Sequence, residues 1–232
     1  MNWQGNRIYL LMDKIKIGLF GGTFNPIHQG HIKAAERVQQ KFCLDKVLFI
    51  PSNIPPHKNM DAIALPEHRS NMVKLAIADF PGFELCSVEM EAAGKSYSIY
   101  TLKKIKKMFP DNDVFFILGI DAFSEIDTWK DYEKVLQQCC FIVISRSGFH
   151  LLDAKEVIGG KYGGRICDVS GAQIGRDYKF LPGKIFLFPI NALDVASTEI
   201  RKRIREGASW EGMVSEKVEY YIKENRLYQK NE

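Results

Sequence analysis

Two histidines three residues apart, His28 and His31, close a glycine-rich run that reads Gly21-Gly22-Thr23-Phe24-Asn25-Pro26-Ile27. Adjacent glycines carry no Cβ, so the backbone can come close to a ligand, and imidazoles spaced i, i+3 at a helix start can face the same anion. Unpaired N–H groups and the helix dipole make such a turn an anion site, so the chemistry it suggests is the handling of phosphate. A second start of this kind is Val195-Ala196-Ser197-Thr198-Glu199-Ile200-Arg201, with hydroxyls at capping positions and a guanidinium one turn in. Each feature also has a plain structural explanation. The histidines can cap or pack, the hydroxyls can cap, and the run Arg201-Lys202-Arg203-Ile204-Arg205 can be a solvated helix face from which Arg201 turns inward. A zinc site would need His57, His68 or a cysteine beside the two histidines.

These residues need a frame. The apolar run from Ile15 to Phe20 reads as a strand, the glycine pair as a turn, and residues 29 to 42 as a helix. Further strands are expected at Lys46 to Pro51, Phe83 to Val88, Asp113 to Gly119, Cys140 to Ser145 and Lys184 to Phe188, several of them apolar throughout. Helical spacing covers Glu67 to Asp79, Ser98 to Phe109, Tyr132 to Gln138, Ser197 to Arg205 and Val214 to Asn225. Apolar strands alternating with helices imply an α/β fold, a doubly wound, Rossmann-like parallel sheet covered on both faces, with a small C-terminal helical subdomain. Ligands of such sheets bind beyond the carboxyl ends of the strands, and the first glycine-rich turn sits at one of those ends. Residues 1–13 read as a non-core extension in which Met12 is a second candidate start, and residues 14–232 as a single domain. Within it, residues 146–183 form a long glycine-rich excursion, expected on the surface as a lid, a hairpin or a partly disordered stretch.

Composition narrows the partners. A net charge of +4 with dispersed basic residues does not call for nucleic acid, and no apolar run is long enough to span a membrane. The N-terminus lacks the pattern of a signal peptide, and five scattered cysteines without a C-x-x-C pair fit reduced thiols in a cytoplasmic protein. The G-x-x-x-x-G-K-[ST] and G-x-G-x-x-G fingerprints are both missing, which disfavours kinase-type and dehydrogenase-type chemistry.

Five ordered motifs carry a resemblance. Gly21-Gly22-Thr23-Phe24-x-Pro26-x-His28-x-Gly30-His31 and Ser197-Thr198-x-x-Arg201 resemble the H-x-G-H nucleotidyltransferase superfamily. Ile54-Pro55-Pro56-His57-Lys58, Ser96-Tyr97-Ser98-Ile99-Tyr100-Thr101 and Gly119-Ile120-Asp121 followed by Thr128-Trp129 are similar to the bacterial nicotinate-nucleotide adenylyltransferase family, from about Ile15 to Tyr228. The resemblance implies transfer of the AMP moiety of ATP to nicotinate mononucleotide in NAD biosynthesis, without a covalent enzyme intermediate. It implies His28, His31 and Arg201 as catalytic residues. Gly21, Gly22, Thr23, Phe24, Ser197, Thr198, His57 and Lys58 would bind ATP and its phosphates, and Ser98, Asp121 and Trp129 the nicotinate mononucleotide. Magnesium (Mg2+) would arrive on ATP with no protein ligands, and a homo-oligomer is compatible.

This chain departs from the family pattern at Asn25, usually aspartate, at Ser98, usually threonine, at Tyr100, commonly smaller, and at Val195-Ala196, typically Ile-Ser. The rival readings are a sister adenylyl- or cytidylyltransferase acting on another phosphate, and a non-catalytic nucleotide- or RNA-binding module. The Pro-Pro-His-Lys and Thr-Trp elements count against the first, the two intact histidines against the second.

Overall fold

The structure, a computed structural model, describes residues 14–54, 63–91, 94–145, 162–190 and 195–229. His57, Lys58, the N-terminal extension and residues 146–161 lie outside them.

Seven strands form one sheet: β1 (Lys16–Gly22), β2 (Lys46–Pro51), β3 (Phe83–Leu85), β4 (Asp113–Gly119), β5 (Cys140–Ser145), β6 (Ile166–Asp168) and β7 (Ile185–Pro189). Their order is β3-β2-β1-β4-β5-β7-β6, and every pairing is parallel. The chain winds from β1 outward to β3, then returns to the centre and winds the other way from β4. The strand order therefore reverses between β1 and β4, where a doubly wound sheet opens a crevice at its carboxyl edge.

Successive side chains point to opposite faces of a strand, and here both faces are covered, so the runs are apolar without alternation. Phe20, Val47, Phe49, Phe115, Ile117, Ile142 and Phe186 point to one face. There they meet α1 (Gln29–Phe42), α2 (Pro66–Ile77) and two C-terminal helices, α6 (Ser197–Glu206) and α7 (Glu216–Glu224). Ile17, Leu19, Leu48, Phe116, Phe141 and Leu187 point to the other, toward α3 (Ser98–Met108), α4 (Ile120–Ser124) and α5 (Tyr132–Gln138). The C-terminal helices are built into the first layer: Ile200, Val218 and Ile222 are buried in the same core as α1.

The glycine-rich excursion is more than surface. Its second half returns to the sheet as β6, an edge strand parallel to β7, which excludes a hairpin between the two. Val169, Ile174 and Phe180 then pack into the core on the way to β7. The residues Ile166-Cys167-Asp168 sit among glycines and charges with no apolar run to mark a strand, whereas the equally short β3 was read as a strand running to Val88 but ends at Leu85. The five residues of α4 are too few to show a helical period.

All five cysteines are free thiols, with Cys86, Cys139 and Cys140 buried. Among the described residues no helix is long and apolar enough to cross a membrane.

Candidate active site

The turn that follows β1 brings together His28, His31, Ser197 and Arg201 from the two ends of the chain. Gly21 and Gly22, read from the sequence as a turn, are the last two residues of β1 and pair with Ile50 and Pro51, so the turn proper begins at Thr23, and α1 opens with His28 as its N-cap. The rings of His28 and His31 lie face to face at a tilt of 32°, with centroids 3.6 Å apart. The His28 backbone N–H donates to His31 Nδ1 at 3.2 Å. That bond needs the Nδ1 lone pair, so the neutral ring of His31 carries its proton on Nε2 and offers an N–H there. Phe24 and Phe20 hold the ring from the side, with edge-on centroid distances of 5.1 and 6.1 Å.

Phe24 is central to this packing. Its φ of +47° lies in the left-handed region that a bulky residue rarely occupies, and the burial of its ring beside Phe20 and Phe49 holds it there. Gly22 makes room, since a Cβ at that position would lie 3.0 Å from the Phe24 ring. No such crowding surrounds Gly21, which is exposed and where the nearest atom to a built Cβ is a Phe116 ring carbon at 4.0 Å. Phe24 can therefore serve an anion only through its backbone.

The turn is tied to the body by a buried network that sequence reasoning missed. Arg69 on α2 has no exposed surface, and its guanidinium donates to four carbonyls: Ala64 at 2.9 Å, Thr23 at 2.8 Å, Ser52 at 2.7 Å and Asn53 at 2.9 Å. Asn25 Oδ1 accepts from the Ala64 N–H at 3.0 Å and from the Tyr228 hydroxyl at 2.9 Å. Burial pushes the Tyr228 phenol up, opposed by the charges of Arg201 and Arg69, which keeps it a donor at neutral pH. The signal that could have found Arg69 is its spacing. It shares the buried face of α2 with Met72, Val73, Ala76 and Ile77, an arginine where the helix period calls for an apolar residue.

From the other end of the chain, α6 brings Arg201 and Ser197 to the same turn. Arg201 Nη1 donates to the Asn25 carbonyl at 2.7 Å and Ser197 Oγ to the Pro26 carbonyl at 2.9 Å, which are the carbonyls of two successive peptides. Ser197, expected as a phosphate ligand, is thus a staple whose proton is already committed to the protein. Thr198 is exposed at the start of the same helix. Burial lowers the Arg201 pKa, Tyr228 opposes this and Arg205 adds to it. Its buried Nε has no hydrogen-bond partner among the described residues.

The acceptor-side candidates line the neighbouring strand ends. Asp121 is exposed in the first turn of α4, directly after β4. Trp129 is half-buried, edge-on to Phe116 at 5.7 Å, and Ser98 is the first residue of α3. The Ser96 N–H donates to the Ile54 carbonyl at 3.2 Å, and Ser96 Oγ accepts from the Asn53 N–H at 3.0 Å. Behind them Glu89 receives the Thr101 hydroxyl at 2.6 Å and is bonded also by Ser96.

Burial pushes the Glu89 carboxyl up against the opposing pull of those hydrogen bonds. The folded state then holds that proton more tightly than the unfolded chain. Its contribution to stability is complete below the unfolded carboxylate range and is lost as pH rises through the folded value. Glu89→Gln is therefore expected to raise Tm at neutral pH and to leave it nearly unchanged at a pH below the ordinary carboxylate range. Thermal melts at the two pH values check this, and equal shifts at both would contradict it.

Among the described residues no group of three or more His, Cys, Asp or Glu side chains is placed to hold a metal ion. His68 is turned toward Tyr221, with its Nδ1 3.0 Å from the hydroxyl.

A reversing parallel sheet with paired histidines and a buried arginine at one turn defines a nucleotidyltransferase-type α/β protein, and residues 19–203 match the cytidylyltransferase-like family. A probable nicotinate-nucleotide adenylyltransferase of Citrifermentans bemidjiense is 37% identical over 219 residues, covering 92% of this chain and 98% of the relative. A protein of the same name from Desulfitobacterium hafniense is 40% identical over 214 residues, covering 92% and 95%. The chain belongs to the nicotinate-nucleotide adenylyltransferase family. Its fold is also that of Plasmodium falciparum nicotinic acid mononucleotide adenylyltransferase, solved in complex with NaAD, at a TM-score of 0.71 and 20% identity, covering 92% of this chain and 97% of the other.

Proposed function

We infer that this chain joins the AMP moiety of ATP to nicotinate mononucleotide, giving deamido-NAD and pyrophosphate in NAD biosynthesis. The observation that carries the reading is the convergence on one turn of the His28–His31 pair, the Thr23 and Phe24 amides and Arg201. The reaction asks little covalent chemistry of the protein. The 5′-phosphate of the acceptor attacks the α-phosphorus of ATP, and the bond to pyrophosphate breaks. Positioning and charge neutralisation supply the rate.

In that scheme His31 donates its Nε2 proton as a hydrogen bond to a phosphate oxygen as charge builds there, and His28 lies beside it on the same anion. The amides of Thr23 and Phe24 donate to phosphate oxygens, Gly21 and Gly22 let the ligand come close while their own N–H groups stay in the sheet, and Arg201 binds the triphosphate while its Nη1 keeps the turn in shape. Magnesium carried by the nucleotide would supply further neutralisation of the phosphates. Trp129 stacks on the pyridine ring, Ser98 hydrogen-bonds its carboxylate, and Asp121 accepts from ribose hydroxyls. His57 and Lys58 complete the phosphate side in this reading. Its partners are ATP and nicotinate mononucleotide in the cytoplasm, without nucleic acid or membrane.

The test is pyrophosphate release from ATP and magnesium with nicotinate mononucleotide, nicotinamide mononucleotide and pantetheine phosphate offered separately. Preference for the first supports the reading. Turnover only with pantetheine phosphate would move the chain to a sister transferase, and nucleotide binding without turnover on any acceptor would leave a binding module.

A further inference from the structure

The carbonyls that Arg69 collects belong to three separate pieces of backbone, and one of them, Thr23, lies in the phosphate turn itself. A trans peptide is planar, with its carbonyl and N–H pointing in opposite directions. Holding the Thr23 carbonyl toward the buried guanidinium therefore aims the Phe24 N–H of the same peptide away from the core. The preceding peptide is held in the same sense, because the Gly22 carbonyl accepts from the Ser52 N–H at 2.9 Å and the Thr23 N–H must point the other way. Ser52 is in turn bonded through its own carbonyl to Arg69 at 2.7 Å. Two successive amides are so presented outward by a scaffold centred on one side chain.

Arg69 touches no open space, since its exposure is 0% and all four donor contacts go to backbone. A fully buried guanidinium is expensive to desolvate. No carboxylate offsets its charge among the described residues, and the neighbouring ionisable group is Tyr228. Packing alone would be served by an apolar residue on this face of α2. The planar five-donor fork is what can bridge the turn, the exit of β2 at Ser52 and Asn53, and the entry to α2 at Ala64. A lysine keeps the charge but cannot reproduce that geometry.

We propose that Arg69 is a positioning residue that fixes the direction of the Thr23 and Phe24 amides toward phosphate. This rests on the adenylyl-transfer reading above, and its test separates the two. Isotope-labelled wild-type protein titrated with magnesium ATP is expected to show the Thr23 and Phe24 amide resonances shifting on binding. Arg69→Lys is expected to lose those shifts and to lower kcat about 100-fold, the size of effect that a small misplacement of a reacting group produces. Calorimetric affinity for nicotinate mononucleotide is expected to be unchanged, because the acceptor groups sit on α3, α4 and the segment after it. Wild-type protein whose two amides do not respond to ATP overturns the proposal even if the variant does not fold. So does an Arg69→Lys protein that keeps full turnover, or one that loses affinity for both substrates in parallel. A wild-type protein that shows the amide shifts yet makes no dinucleotide sinks the functional reading and leaves the Arg69 assignment standing on the shifts.

Discussion

Replacing His31 by asparagine is expected to lower kcat about 100- to 1000-fold, as loss of a single aimed hydrogen-bond donor does at a developing oxyanion, with little change in Tm. Asparagine places an oxygen near the position of Nδ1, so the His28 N–H keeps its acceptor, while nothing replaces the Nε2 proton that the proposed function aims at phosphate. Glutamine reverses the exchange: its amide reaches toward the Nε2 position and its methylenes leave the His28 N–H without a partner. His31→Gln should therefore retain more activity than His31→Asn and be less stable, by about 1–3 kcal/mol for a buried donor left unpaired. Steady-state kinetics and thermal melts on the two variants separate the roles of the two ring nitrogens. The opposite ranking would mean that His31 acts through packing and not through its outer nitrogen.

Arg201→Ala is expected to lower kcat/KM for ATP about 100-fold or more, the range for losing a desolvated charge that meets an opposite one. Two separate jobs end together in this variant. The Asn25 carbonyl loses its 2.7 Å donor, and the guanidinium that the proposed function sets against the triphosphate is removed. Lysine at this position should restore little, because a single ammonium cannot hold the carbonyl and the phosphate at once. The KM for nicotinate mononucleotide should stay near its wild-type value, since Ser98, Asp121 and Trp129 lie on other elements. Kinetics with each substrate varied in turn check this, and an Arg201→Lys protein with full activity would reduce the role of the guanidinium to charge alone.

The legible part of this protein is the part with long periods. The helix over 29–42 and the strands at Lys46–Pro51, Asp113–Gly119 and Cys140–Ser145 end where the sequence pattern ends them, because their apolar faces are continuous. The phosphate turn was legible because glycine, proline and histidine at fixed offsets leave few other readings. Elements of three to five residues, β6 and α4, carry no such pattern. What holds the turn was hidden for a different reason. Arg69, Asn25, Tyr228 and Ser197 meet across separations of up to 203 residues, and their partners are mostly backbone carbonyls that sequence does not mark. Ser197 shows the consequence: a serine read as a ligand at a helix start is the first helical residue, not its cap, and donates its proton to the Pro26 carbonyl. An arginine on an apolar helix face was the visible clue to the rest.

The most direct test of the account follows a single phosphorus atom. ATP labelled at its α-phosphate is incubated with magnesium, nicotinate mononucleotide and the protein, and label is followed into dinucleotide and pyrophosphate, with His31→Asn in parallel. The account predicts label in deamido-NAD, unlabelled pyrophosphate in equal amount, and almost none of either with the variant. An unlabelled acceptor product, or equal transfer by the variant, would contradict it.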